Sequence, residues 1–292
     1  MEPRAAETPA ATVTGRFRVG SFDAGGIPFT VETNRRDFGA RVREIFRDIE
    51  IADAGLSPVE FEVLDRGKPP PEHPWSLCRD GVQREIAVAD NYVLTYLLWE
   101  VTQLLFERTG GRVHLHGAAL VHDGKAIVLA GRSHAGKSTL AAWLTYRGWG
   151  FLTDEAALVD PDSLMVSPFW RPINVRRPGP LDPILKERTL HGPLDAEVLV
   201  PASVLGALAG AAPLGSIAFP RFTPEEEVGL FPMGPAAALV ELTQHFPGLI
   251  ADGRAGFRRL ARLVEAVPAY ELRLHDLDKA ERVLRAVAGN GS

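Results

Sequence analysis

Residues 113–139, VHLHGAALVHDGKAIVLAGRSHAGKST, decide how the rest of the chain is read. Two apolar, β-rich runs flank Asp123-Gly124, a dipeptide suited to the positive-φ positions of a tight hairpin turn. The second run leads directly into Gly131, Gly136, Lys137 and Ser138, which stand at the G-x-x-x-x-G-K-[ST] spacing of a phosphate-binding loop. Behind the loop, KSTLAAWLTYRG carries a helical pattern that Gly148 can close at its C-terminus. Each identity in the loop has a physical purpose. The glycines let successive N–H groups turn inward, and the following helix aims its positive end at the same point. Lys137 suits the β and γ oxygens of a triphosphate, the Ser138 hydroxyl suits Mg²⁺, and Thr139 can reach the α-phosphate. Gly131, Arg132, Ser133, His134, Ala135, Gly136, Lys137, Ser138 and Thr139 are therefore the expected nucleotide-binding residues.

The loop alone does not say where a γ-phosphoryl group goes. Downstream, GFLTDEAALVD reads as two short strands around Asp154 and Glu155. One carboxylate of such a pair can hold Mg²⁺ while the other accepts a proton from an attacking hydroxyl. Upstream, strand alternation puts His114 and His116 on one face. A zinc site would need a third ligand at motif spacing, and none is evident. The ordinary role for such histidines is packing or hydrogen bonding in a core. His116 has a further option, contact with Asp154 that would tune its proton affinity.

The surrounding chain has 292 residues, 46% apolar and 24% charged, enough for one large domain or two modest ones. Lys and Arg number 32 against 37 Asp and Glu, for a net charge of -5, which argues against a general nucleic-acid-binding surface. Cys78 is the single cysteine, so an internal disulfide and a thiolate zinc site are excluded, which fits a reducing cytoplasm. The first residues lack an apolar core of signal-peptide length, and no run is long and apolar enough to span a bilayer. A cytoplasmic protein without membrane partners is expected.

Three segments are expected: a disordered tail over 1–14, a smaller α+β lobe over 15–110 and an α/β lobe over 111–292. In the first lobe, strand-like pieces from Phe17 to Thr33 are broken by DAGG, and Phe38, Val42, Ile45 and Ile49 recur at helical spacing. VEFEVL reads as a strand, RGKPPPEHP as an irregular connection, and REIAVA leads through Asp90 or Asn91 into a helix ending near Arg108. In the second lobe, LMVSPF and GSIAFP read as strands, with helical patterns over 242–246, 257–267 and 277–287. The Asp123-Gly124 hairpin makes the sheet mixed rather than all-parallel.

The order of these features is that of a known family. HGAALVHDGKAIVLAGRSHAGKSTLAAWLTYRGWGFLTDEAALVD, with RPINV, FPRF and GFRRLARLVEAVPAYELRLHDLDKA beyond it, resembles HPr kinase/phosphorylase and its relatives in bacterial peptide-modification clusters, over most of 112–288. The resemblance implies a P-loop kinase lobe like the C-terminal domain of HPr kinase. It implies ATP-dependent transfer to a serine hydroxyl of a small protein or peptide, with oligomers possible. Carried onto this chain, Asp154 is the base, His116 and Lys137 complete the catalytic set, Ser138 and Glu155 serve Mg²⁺, and Arg176 falls near a basic position that contacts phosphate. Several features depart from HPr kinase proper: His134 in place of a small residue, Glu155 in place of a second Asp, GKST in place of GKSE, and no Asn- and Gly-rich signature downstream. They argue against HPr itself as acceptor and against phosphorylase activity. A P-loop ATPase and a nucleotide-sensing binding module are the competing readings, and the N-K-x-D motif that reads guanine is absent.

Overall fold

The computed structural model describes residues 15–52, 57–67, 75–84, 90–176, 179–185, 191–194 and 197–288. The tail expected over 1–14, most of RGKPPPEHP and residues 85–89 of REIAVA lie outside the described residues. The molecule is a mixed α/β structure, with three sheets and eight α-helices among the described residues.

The first sheet comprises β1 (Phe17–Asp23), β2 (Pro28–Thr33), β3 (Glu50–Ile51), β4 (Val59–Asp65), β5 (Trp75–Arg79) and β6 (Val82–Arg84), in the order β3-β1-β2-β4-β5-β6. Helix α1 (Arg36–Ile45) buries Phe38, Val42 and Ile45, as their spacing requires. The helical pattern extended to Ile49, but that residue falls in a separate 3₁₀ turn after Phe46. Phe22, Phe29, Phe46 and Phe61 meet with ring centroids 5.3–5.7 Å apart. Helix α2 (Asp90–Arg108) closes this core with Leu94, Leu97, Leu98, Val101 and Leu105. The same core takes in Ala156, Leu158, Phe169 and Leu199 from later in the chain, so the two halves pack directly on each other.

The later chain runs β7 (Val113–His122), β8 (Lys125–Ala130), α3 (Lys137–Tyr146), β9 (Gly150–Thr153), β10 (Ala156–Val159), β11 (Met165–Ser167), β12 (Ile173–Arg176), α4 (Asp182–Leu185), β13 (His191–Leu194) and β14 (Glu197–Val200). It continues through α5 (Ala202–Leu205), β15 (Ala212–Phe222), β16 (Gly229–Met233), α6 (Pro235–Thr243), α7 (Leu249–Ala266), β17 (Ala269–Leu274) and α8 (Leu277–Ala288). The eight-stranded sheet has the order β11-β10-β7-β8-β15-β17-β16, with β9 paired to β7. Asp123 and Gly124 have φ of 49° and 75° and close the β7–β8 hairpin at the His122–Lys125 pair. β8, β15 and β17 are parallel, while β7 and β16 run antiparallel to their neighbours. β11 pairs with both β10 and β15, so β11, β10, β7, β8 and β15 form a closed ring of pairings.

Burial on both faces explains the unbroken apolar run of β8. Ile127 and Leu129 pack with α3 and α8, whereas Ala126, Val128 and Ala130 pack with α6 and α7. At Gly117, β7 passes from β10 to β8, and a Cβ there would lie 2.4 Å from the Leu129 carbonyl oxygen. Glycine is required at this position by the close approach of two backbones.

The third sheet, β12-β14-β13, is not apparent from the sequence patterns. Its core of Ile173, Val175, Leu185, Val198 and Val200 rests on Ala142 of α3 and Phe151 of β9. Two helix boundaries also differ from the patterns. α6 begins at Pro235, seven residues before Leu242, because proline fits the first helical position and a run of alanines carries no periodicity. α7 begins at Leu249 rather than Phe257, and Gly253, with φ 50° and ψ -124°, breaks its early turns. No helix among the described residues is long and apolar enough to cross a membrane.

Candidate active site

β8 delivers the chain to Gly131 and α3 receives it at Lys137. Gly136 caps α3 in the left-handed region with φ 89°, which its lack of a Cβ makes inexpensive, and it supplies no side chain to the helix N-terminus. The first N–H groups of α3 are therefore left for an external acceptor. His134 also has positive φ, 69°, which is uncommon for a residue with a side chain. Lys137 folds back so that Nζ donates to the carbonyls of Gly131 at 2.7 Å and Arg132 at 2.9 Å. Burial pulls its ammonium below the usual value, against the opposing charges of Glu155 and Asp154.

Asp154 and Glu155 form the turn between β9 and β10, beside the Gly117 crossing, where Gly117 N–H donates to the Glu155 carbonyl at 3.2 Å. Their side chains part. Asp154, only 2% exposed, turns inward, and its Oδ2 accepts the Asn174 N–H at 3.2 Å. The nearby Ser138 hydroxyl favours the charged form of this carboxylate, and Oδ1 finds no hydrogen-bond partner among the described residues. Burial, and then the neighbouring Glu155, push the Asp154 carboxyl up to about 7, against Arg171, the Asn174 amide and Ser138. Glu155 faces the opposite way. Its Oε1 lies 2.9 Å from His116 Nδ1 and its Oε2 lies 3.7 Å from a guanidinium nitrogen of Arg171. Burial would raise its carboxyl, but the His116 hydrogen bond and the charges of Arg171, His116 and Lys137 bring it down to about 2.

The expected contact between His116 and Asp154 is thus corrected: His116 meets Glu155. The cause is the turn, which sends Asp154 toward β12 and Glu155 toward β7, where His116 stands opposite Ala156. The two histidines of HLHG also part company. His114 Nε2 lies 2.8 Å from the Thr109 hydroxyl and its ring stacks on Phe106 at 5.0 Å, so it belongs to the α2–β7 packing.

These groups border a cleft of about 250 Å³. Of the expected residues, His116, Ser133, His134, Gly136, Lys137, Ser138, Thr139 and Glu155 line it. Asp154 stands behind its wall. Gly131, Arg132 and Ala135, with Ser133 and His134 again, border a second groove on the β15 side of the loop, together with Arg221 and Phe222. Across the first cleft, β12 contributes Asn174 and Arg176, and Arg176 hydrogen-bonds the His134 ring at the lip. Sequence reasoning missed Asn174, whose role is played by its backbone, and two buried groups, Arg171 and His245. His245 accepts the His116 N–H on its carbonyl at 2.7 Å. An arginine in RPINV and a histidine after a helix carry no local signal of burial.

A scan against protein-family models finds no match, and no curated protein matches the chain. Among solved structures, the HPr(Ser) kinase/phosphatase from Coxiella burnetii is similar at 14% identity, over 59% of this chain and 88% of that one, with a TM-score of 0.35. A likeness this slight has no bearing on the chemistry.

Proposed function

We propose that this protein is an ATP-dependent kinase that transfers the γ-phosphoryl group to a serine hydroxyl of a small protein or peptide. One observation carries the reading. A phosphate-type loop with its lysine and serine shares one open cleft with the Glu155 carboxylate, and the Asp154 carboxylate, in an unlike environment, lies buried behind that wall. The backbone of residues 131–139 and the first turn of α3 bind the triphosphate, Lys137 leaves its two carbonyls for the β and γ oxygens, and Arg176 closes over them from β12. The oxygen donors suit Mg²⁺: a serine hydroxyl, a carboxylate held ionised, and a buried carboxylate oxygen without a partner. Ser138 and Glu155 would hold it, and it would neutralise charge on the phosphates when bound. Asp154 takes the proton of the acceptor hydroxyl as the new O–P bond forms and the bond to ADP breaks, so ADP and a phosphoserine are the products.

A second division of roles is favoured by two contacts. Ser138 stands against Asp154, and Glu155 rather than Asp154 lines the cleft. In that division Asp154 serves the metal and Glu155, paired with His116, takes the proton. The deciding experiment follows labelled γ-phosphate from ATP to HPr, serine-ended peptides, free serine and water. It compares wild type, Asp154→Asn and Glu155→Gln, with Mn²⁺ affinity of each ATP complex measured alongside. Label on a serine supports the kinase, while label appearing only as free phosphate replaces it with an ATPase. Loss of transfer with Mn²⁺ affinity kept in Asp154→Asn assigns the base to Asp154, and the same result in Glu155→Gln assigns it to Glu155.

A further inference from the structure

Arg171 belongs to no motif, yet it is one of the few charged side chains buried among the described residues, at 7% exposed. Its segment, between β11 and β12, is pinned at two points and turned back on itself at a third. The Phe169 N–H donates to the Leu152 carbonyl at 2.9 Å, the Trp170 indole N–H donates to the Ala209 carbonyl at 3.0 Å, and the Arg171 N–H turns back to the Phe169 carbonyl at 2.7 Å. The Phe169 ring sits in the core of the first sheet, and Pro172 follows Arg171 directly. The guanidinium so placed approaches Glu155 Oε2 at 3.7 Å from inside the protein, opposite the His116 contact on Oε1, while its Nε finds no partner among the described residues. Burying a guanidinium without full hydrogen bonding costs stability, and nothing in the packing of this segment requires a cation.

We propose that Arg171 is a positioning residue for phosphoryl transfer: from behind the cleft it anchors Glu155, and with it the turn that carries Asp154, so that both carboxylates stay aimed at Lys137 and Ser138. The inference rests on the kinase reading. Through Phe169 it also ties the carboxylates to the core of the N-terminal half. Glu155 is gripped from two sides, and its backbone is gripped by Gly117, which leaves the turn little freedom to follow a bound phosphate.

The test uses the full chain with Arg171→Gln and Arg171→Lys, each alone and combined with Glu155→Gln. Arg171→Gln is expected to lower kcat about a hundredfold through misplacement of the carboxylates, while KM for ATP stays within about threefold. The Mn²⁺ affinity of its ATP complex, followed by the free-ion EPR signal, is expected to fall about tenfold, as when an outer partner of a metal ligand is removed. On the Glu155→Gln background Arg171→Gln should cost at most about threefold further, the remainder coming from its charge beside Asp154, because the residue acts mainly through Glu155. Unchanged kcat and Mn²⁺ affinity, or losses that multiply independently of Glu155, overturn the proposal. Should Arg171→Gln not fold, Arg171→Lys decides: it keeps the charge but not the length and planar shape that bring the guanidinium to Glu155, so reduced kcat at an unchanged Tm supports the anchor, and unchanged kcat refutes it. Absence of transfer by wild type to every acceptor removes the kinase reading alone, since the Mn²⁺ measurement needs no turnover and still tests the anchor.

Discussion

The two walls of the cleft are built on different principles. One is the β7–β10 wall, inside a sheet buried on both faces and closed into a ring, and it holds His116 and the carboxylate turn. The other is β12, four residues in a three-stranded sheet, and it holds Asn174 and Arg176. On the first wall His116 and Glu155 hold each other, and the His116 N–H bonds the His245 carbonyl. On the second the groups reach across to their partners, Asn174 to Asp154 and Arg176 to His134. The difference suggests a division of labour in which the heavy wall sets chemical geometry and the light wall adapts to what is bound.

Substitutions can break or sharpen that contrast. The largest effect is expected where loop and heavy wall meet: Lys137→Ala should reduce phosphoryl transfer about a thousandfold with Tm little changed, measured with labelled ATP. Gly117→Ala strikes the heavy wall itself. Its Cβ meets a backbone oxygen that cannot rotate away, so a loss of about 3 kcal/mol in a single urea transition is expected. Val175→Ala removes buried volume from the light wall and should cost about 2 kcal/mol, with amide exchange rising over β12 and β14 rather than over β7. A single global transition with no local rise would mean that the walls are not separable.

Smaller effects follow. Burial lowers the His114 pKa below 6.5, so the folded state disfavours the imidazolium. The unfolded chain then binds the extra proton first, and the stability tied to neutral His114 is present above about 6.5 and lost as pH falls below it. His114→Phe should flatten that part of the stability profile between pH 7.5 and 5.5. Least of all, Arg176→Ala, at the exposed lip, should weaken ATP binding about threefold in calorimetry and leave Tm unchanged.

The readable parts of the site were those where local chemistry dictates conformation. The Asp123-Gly124 turn, the 131–139 loop, the Gly148 helix end and the two short strands around Asp154 each follow from neighbouring residues. The unreadable parts depend on distant ones. His116 could be placed on a strand beside the loop, but its choice of Glu155 over Asp154 depends on the direction of a two-residue turn. Ile173 and Val175 alternate over too few residues to mark a strand, and only their partner Val198–Val200 makes them one. Arg171 looked like one arginine in a chain rich in them. Its burial is fixed by Leu152 and Ala209, which no local pattern connects to it.

The closed ring of strands has a consequence for when the site comes into being. β8 has one neighbour close in sequence, β7, and another, β15, that is synthesised only some eighty residues after the phosphate loop emerges. Until then β8 is bonded on one side only, to β7 with its partners β9 and β10, and the loop hangs from an open edge strand. Ring closure joins segments of large sequence separation, which are slow to meet because the intervening chain must first give up its freedom. The nascent chain therefore carries the whole loop sequence of 131–139 long before the sheet that supports it is closed, and on the kinase proposal nucleotide would act as a ligand of late folding rather than of early folding.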